Sequence, residues 1–316
     1  MNILKSDETT GLWPEEVYSA AQGIRRRVME HTIKNNGGYL SQACSSAEIF
    51  AALYLRVLNI GKPEKPLIPA EFPGVPGPGN TGYFTGAAYN GLKSREYDRF
   101  VLSPSQYSLV LYAALIEVGR MDAKGLDQFN KDGGVVEMIG AEHSPGMELM
   151  TGSLGQGISQ AAGIAMGRRL KGETGRVVLF MSDGECQSGQ FWEAVQAMCH
   201  HKLDNMLLYV DINGYQCDGR VETVMNLEPL DKRLEAFGAR VYRIDGHDAE
   251  ALAALGRLKP DGRPTFILCD TDACRGIDIL QERIPKMHYV RFSDDKEKAR
   301  YEEAFKSLNC IAKEDI

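Results

Sequence analysis

Two short turns hold the residues best suited to chemistry. Ser182-Asp183-Gly184-Glu185 follows a strand-like apolar run at 177–181, and Asp211-Ile212-Asn213-Gly214-Tyr215 follows a second run at 206–210. A carboxylate, an amide oxygen and a main-chain carbonyl make a hard-oxygen set that suits Mg²⁺ when phosphate oxygens complete its shell. Gly184 would let an anionic ligand approach the backbone, and a helix beginning near Gly189 would offer it free N–H groups. Asp-Gly and Asn-Gly are also ordinary turn dipeptides. The chemical reading rests on both turns ending a strand: adjacent parallel strands would bring Asp183 and Asn213 to one edge of a sheet.

The elements that must position them alternate. Apolar runs at 177–181, 206–210, 241–244 and 265–268 read as strands, and helical patterns at 190–201, 230–237 and 249–258 separate them. Further helices are expected at 105–118 and 154–170. Strands alternating with helices imply βαβ units, a mostly parallel sheet sandwiched between helices, and ligands beyond the carboxyl ends of the strands. Ahead of this α/β unit lies a helical lead at 15–59, with apolar spacing in 16–31 and 46–58 and a break at Asn35-Asn36-Gly37-Gly38. Residues 62–80 contain six of the 13 prolines and read as a loop, because proline removes a backbone donor and fixes φ.

Composition limits the function classes. With 316 residues, 43% of them hydrophobic and 25% charged, the chain can bury a substantial core, and it is read as a single domain over 1–316. No apolar run reaches the roughly 18 residues of a membrane span. The opening MNILKSDETTGLWPEE lacks the pattern of a secretion signal. A net charge of −7 disfavours nucleic acid, and Arg25-Arg26-Arg27 reads as a solvated helix face. The seven cysteines (Cys44, Cys186, Cys199, Cys217, Cys269, Cys274 and Cys310) form no CxxC pair, which suits reduced, mostly buried thiols in a cytoplasmic protein.

The stretch SDGECQSGQFWEAVQAMCHHKLDNMLLYVDINGYQCDG resembles the thiamine-diphosphate signature of transketolases, and likeness to that family extends from about residue 37 to 308. The resemblance implies the thiamine-diphosphate-binding fold, with Asp183, the Asn213 side chain and the Tyr215 carbonyl holding Mg²⁺. It also implies that Gly184 and the Glu185 amide contact the diphosphate. The run from Pro145 to Gly157 looks like the family's loop beside the aminopyrimidine, where Gly152 and Leu154 would touch the cofactor. A Rossmann reading of GSLGQG is weaker, since no strand clearly precedes it and no acidic residue ends a next strand at the required distance.

Family histidines are replaced at two places, by Tyr39 and by Gln106, each expected to line the cofactor site; neither is an easily reversible proton carrier near neutral pH. Ser182 stands for a glycine. Ser188 stands for a glutamate that joins a proton network across the family's subunit interface, with Glu193 left as its member on this side. His288 and His143 match retained histidines and would shuttle protons to and from substrate hydroxyls. His247, in Ile244-Asp245-Gly246-His247-Asp248, reads as part of a strand-to-helix turn and cap.

By resemblance, the activity is transfer of a two-carbon ketol unit from a ketose or ketose phosphate to an aldehyde. The altered positions 39 and 106, flanking the proline-rich loop, suggest an atypical donor or acceptor. The family's second, pyrimidine-binding domain would come from a separate chain, in a heterotetramer of two plus two chains, with a small sugar or keto compound as substrate. Three rivals stand beside this: a thiamine-dependent subunit that decarboxylates a 2-oxoacid and ligates the product, a degenerate non-catalytic partner subunit, and a nucleotide-dependent dehydrogenase.

Overall fold

The computed structural model describes residues 12–314, with side chains as far as residue 308. The Cys310 side chain and residues 1–11 of the opening stretch lie outside the described residues. Five parallel strands form the sheet, in the order β1-β2-β3-β7-β6: β1 Arg99–Leu102, β2 Val177–Ser182, β3 Met206–Ile212, β6 Arg240–Asp245 and β7 Thr265–Asp270. A small antiparallel hairpin, β4 Tyr215–Gln216 with β5 Gly219–Arg220, projects just after β3.

Alternation along the strands divides the core between two faces. Val178, Phe180, Leu207, Tyr209 and Ile267 pack on one side, against helices α1 (Trp13–Asn35), α2 (Leu40–Ala52), α3 (Ser108–Glu117) and α8 (Ala249–Leu255). Val177, Leu179, Met181, Leu208, Val210, Phe266 and Leu268 pack on the other, against α4 (Gly157–Leu170), α5 (Gly189–His200) and α7 (Leu230–Phe237). A short α6 (Val221–Val224) follows the hairpin, and α9 (Asp295–Glu314) closes the described chain. Because both sheet faces are covered, the strands read as continuous apolar runs, and each large apolar side chain fully buried there contributes about 1.5–3 kcal/mol.

The expected break after α1 is present: Asn36 ends that helix in the left-handed region at φ 49°. The second helix begins earlier than its apolar spacing indicates, at Leu40, and continues through a π turn at Leu53–Val57. Helix α4 begins at Gly157, not 154, because Ser153 and Leu154 belong to the preceding turn. The proline-rich segment 62–80 contains no helix and no strand, only isolated bridges at Leu67 and between Gly77 and Asn80.

One sequence expectation is corrected. The Arg25-Arg26-Arg27 cluster is not a solvated face: Arg25 is 5% exposed and ion-pairs with Glu48, and Arg27 is half-buried against Glu117. Glycine at 23 makes this packing possible, since a Cβ there would overlap the Glu117 carboxylate.

Candidate active site

The register pairs Ser182 of β2 with Asp211 of β3, so the two turns singled out in the sequence leave the sheet side by side. Asp183 is 3% exposed and opens a 3-10 turn, Asp183–Gln187. Its Oδ1 accepts the Gly184 N–H at 2.7 Å and its Oδ2 accepts the Gly214 N–H at 2.8 Å. The second bond ties the β2 turn to the β3 turn. Burial, with the Asp211 charge beside it, pushes the Asp183 carboxyl up to about 8, although the two amides oppose the shift.

Asn213 is oriented by its surroundings. Its Nδ2 donates to Asp211 Oδ2 at 3.1 Å and to the Tyr107 hydroxyl at 3.2 Å, while its Oδ1 accepts the Tyr215 N–H at 2.9 Å. The amide oxygen therefore lies on the hairpin side, toward the residue whose carbonyl completes the expected metal set. Asp211 is fully buried and gathers donors from three other parts of the chain: Ser45 at 2.6 Å, Tyr107 at 2.8 Å and Thr271. Burial raises its carboxyl, and these donors partly hold it down.

The Glu185 side chain, 1% exposed, accepts from Ser103 Oγ at 2.7 Å and from the Gly155 N–H at 3.0 Å. Its other oxygen faces the Ser182 N–H, and the Ser182 hydroxyl in return accepts from the Glu185 N–H, closing a capping box. Serine in place of glycine at 182 thus has a role in holding the turn, and the Glu185 amide expected to face a diphosphate is bonded to that hydroxyl. Burial pushes the Glu185 carboxyl up to about 7.

A second group forms around Tyr39. The Gly38–Val290 bridge, with Ser41 donating to the Met287 carbonyl at 2.9 Å, brings the loop after β7 to the start of α2. Tyr39 meets His288 edge-on at 5.4 Å and Tyr289 at 5.0 Å, and Gln42 Nε2 donates to the His288 carbonyl at 3.1 Å. Burial lowers the His288 imidazole, opposed by the Asp218 carboxylate; burial raises the Tyr39 phenol, aided by Tyr289 and Cys217. Both influences from 217 and 218 come from the tip of the β4–β5 hairpin, so that hairpin spans from Tyr215, in the set expected to hold a metal, to the Tyr39–His288 pair.

The other expected residues are more scattered. Gln106 lies in the turn Ser105–Tyr107 after β1; its Oε1 and the Ser105 hydroxyl are buried without a partner. Gly152 is exposed, and the space of its missing Cβ is 3.9 Å from Ser105 Oγ and from Ile139, while Leu154 is 46% exposed. His143 is held elsewhere: its Nε2 is 3.3 Å from Glu137 Oε2 and its ring lies 4.6 Å from Phe72 of the proline-rich loop. Glu193 is exposed on α5. His247 is structural, as expected: its Nδ1 meets Glu48 at 2.9 Å, its Nε2 accepts the Asp272 N–H, and Asp248 caps α8.

The sequence reading passed over Asp211, Ser45, Tyr107, Thr271, Ser103 and the Glu185 carboxylate. A local signal existed only for Glu185, the Ser-x-x-Glu spacing of a capping box. Among the described residues no group of three or more His, Cys, Asp or Glu could hold a metal. The expected set has a single carboxylate, and such a set needs a ligand's own oxygens. Beyond β3, β6 and β7 a cavity of about 310 Å³ opens, with Asp183, Asn213 and Gly214 on its wall.

Comparison with known proteins shows the family and the fold. Residues 89–295 match the family described as transketolase, thiamine diphosphate binding domain. A putative uncharacterized transketolase family protein of Sinorhizobium fredii is 34% identical over 86% of this chain and 88% of its own length. A 6-deoxy-6-sulfo-D-fructose transketolase subunit of a Clostridium species is 30% identical over 88% of this chain and 92% of its own. An apulose-4-phosphate transketolase subunit of Actinobacillus succinogenes is 28% identical, over 90% and 95%. The transketolase structure from Campylobacter jejuni superposes with a TM-score of 0.70 at 23% identity, covering 95% of this chain and 48% of that one. The chain thus spans about half the length of that solved transketolase.

Proposed function

The chain belongs to the transketolase family, and from that premise we propose that it is the diphosphate- and metal-binding subunit of a thiamine-diphosphate-dependent enzyme. That enzyme transfers a two-carbon ketol unit from a ketose or ketose phosphate to an aldehyde. The observation that carries the proposal is the state of Asp183: a buried carboxylate at the meeting of two strand ends, bonded only to amides, with its carboxyl pushed up to about 8. A cation placed there would relieve this cost.

The residues fit the two groups the family uses. Asp183, Asn213 Oδ1 and the Tyr215 carbonyl would hold Mg²⁺. Gly184 and the Glu185 amide would meet the diphosphate, the latter by releasing the Ser182 hydroxyl; open space beside Gly214 leaves its backbone accessible, while a Cβ at Gly184 would press on Gln216 at 3.3 Å. Gly152 and Leu154 would lie along the aminopyrimidine, with Gln106 and Tyr39 lining the site. When bound, thiamine diphosphate supplies the carbon nucleophile for breaking and making bonds beside a carbonyl. The chain's own part is to orient that group, keep water out, and move protons through His288; His143 would act at the substrate's outer hydroxyls. Glu193 would face the partner subunit.

We read residues 1–316 as one such domain. The partner reading, a pyrimidine-binding subunit in a two-plus-two heterotetramer, draws support from relatives of matching length that are themselves named subunits. Those relatives are named for 6-deoxy-6-sulfo-D-fructose and apulose 4-phosphate, which favours an atypical substrate here too. No helix among the described residues is long and apolar enough to cross a membrane, and the six described cysteines are free, which supports a reducing, cytoplasmic setting.

Calorimetry tests the proposal, with thiamine diphosphate and Mg²⁺ titrated into the chain alone and into its mixture with a candidate partner subunit. The expected result is Mg²⁺-dependent binding that is lost in Asp183→Ala. Absence of binding in both samples would reject the catalytic reading and leave the degenerate-subunit one.

A further inference from the structure

Glu185 joins three segments that are far apart in the sequence. One carboxylate oxygen accepts from Ser103 Oγ, at the end of β1, and from the Gly155 N–H; the other takes the Ser182 N–H at 3.4 Å. Around this polar centre the loop 152–157 lies with bare backbone on its neighbours. A Cβ at Gly155, whose φ is +78°, would come 2.0 Å from Ser188 Oγ, and one at Gly157 would come 2.4 Å from Ser103 Oγ. Neither glycine tolerates a side chain there unless Ser103 or Ser188 moves, so the loop has little freedom while the carboxylate is in place. Ser188, the position of a lost family glutamate, is thereby assigned a different duty: its small side chain makes room for the loop, and its hydroxyl donates to the Glu185 carbonyl at 2.9 Å.

We propose that the Glu185 carboxylate is a positioning residue that clamps loop 152–157 to the turn Asp183–Gln187, fixing the distance between the two ends of the cofactor site. The inference rests on the reading above, in which Gly184 serves the diphosphate and Gly152 and Leu154 serve the aminopyrimidine. A capping role alone would concern only Ser182 and the turn. The bonds to Gly155 and Ser103 reach beyond the turn, and they predict a defect confined to the loop's end of the ligand.

The test uses the full chain, Glu185→Gln and Ser103→Ala, and two probes: thiamine diphosphate with Mg²⁺, and inorganic pyrophosphate with Mg²⁺. Glutamine keeps one acceptor but turns an N–H₂ toward groups that are themselves donors. Thiamine diphosphate should bind Glu185→Gln about tenfold or more weakly, as expected for loss of hydrogen bonds to a charged acceptor. Pyrophosphate, which reaches only the diphosphate end, should bind within about threefold of wild type on the same grounds. Hydrogen exchange should rise in a peptide covering 150–158 and stay unchanged in β3. Ser103→Ala, which leaves the capping box intact, should show the same pattern at smaller amplitude and carries the test if Glu185→Gln does not fold. Equal weakening of both probes, or unchanged exchange in the loop, would overturn the clamp. A wild-type chain that binds neither probe, alone or mixed with a candidate partner subunit, would instead defeat the functional reading, while the exchange comparison would still judge the clamp.

Discussion

Two buried acidic clusters lie on this scaffold, and they differ in how their charge is met. In the helical layer, Glu48 accepts from Arg25 and from His247. Burial alone would raise its carboxyl, but the His247 and Arg25 hydrogen bonds and the Arg25 charge hold it down to about 2. At the carboxyl end of the sheet, Asp183, Glu185 and Asp211 are equally buried, and their hydrogen bonds come from amides, hydroxyls and the Asn213 side chain. All three carboxyls are shifted up. The first cluster is internally neutralised and needs nothing further. The second is short of positive charge in a way its hydrogen bonds to amides and hydroxyls do not correct.

The contrast breaks most sharply at Glu48. Glu48→Ala leaves Arg25 and His247 buried without their acceptor and should cost about 3–5 kcal/mol, read as a fall of roughly 10 °C in melting temperature. The pH dependence has a definite sign. Because Glu48 is held below its ordinary value of 4.5, its contribution is complete above that value and disappears as pH falls from 4.5 through about 2. Denaturation of wild type and Glu48→Ala should therefore converge on acidification.

At the other cluster the sign reverses. Asp183→Asn should abolish Mg²⁺-dependent cofactor binding and flatten the pH dependence of the ligand-free chain's stability, since it removes the titrating carboxyl. The Asp183 carboxyl is raised from 3.8 to about 8, so the ligand-free chain should lose stability as pH rises through that interval. Thermal scans between pH 5 and 8, in the range where this loss should show, would check both statements. An Asn variant whose stability falls with pH as steeply as that of wild type would remove the argument from Asp183. Added Mg²⁺ with thiamine diphosphate should raise the melting temperature of wild type by about 2.7 kcal/mol equivalent at a hundredfold excess over Kd, and of Asp183→Asn hardly at all. The smallest expected effect is at Tyr107→Phe, which removes one donor to Asp211 and one acceptor for Asn213. A loss of about 1 kcal/mol should appear as weaker Mg²⁺ retention, roughly fivefold.

Much of this arrangement was legible in the chain. The apolar runs 177–181 and 206–210 gave β2 and β3 to within two residues, and their parallel pairing put Asp183 and Asn213 together as expected. Strand β1 escaped because four residues beginning with an arginine carry little periodicity. The Asp211 hub escaped for a different reason: its donors come from positions 45, 107 and 271, and nothing in local spacing announces a convergence of that range. Arg25 was misread because its partner, 23 residues away, sits on a separate helix. Family resemblance singled out Tyr39 and His288 separately but not their contact, and the backbone bridge that makes it possible, Gly38 with Val290, has no signature of its own.

The hairpin after β3 has a practical side. Its tip carries Cys217, which is exposed, whereas the other described cysteines are buried or partly buried. In a Cys310→Ser background, a thiol-reactive fluorophore would therefore attach preferentially beside the Tyr39–His288 pair. Because Tyr215, at the base of the same short ribbon, supplies an expected metal contact, that single label would turn ion arrival and occupancy of the neighbouring pocket into one optical signal.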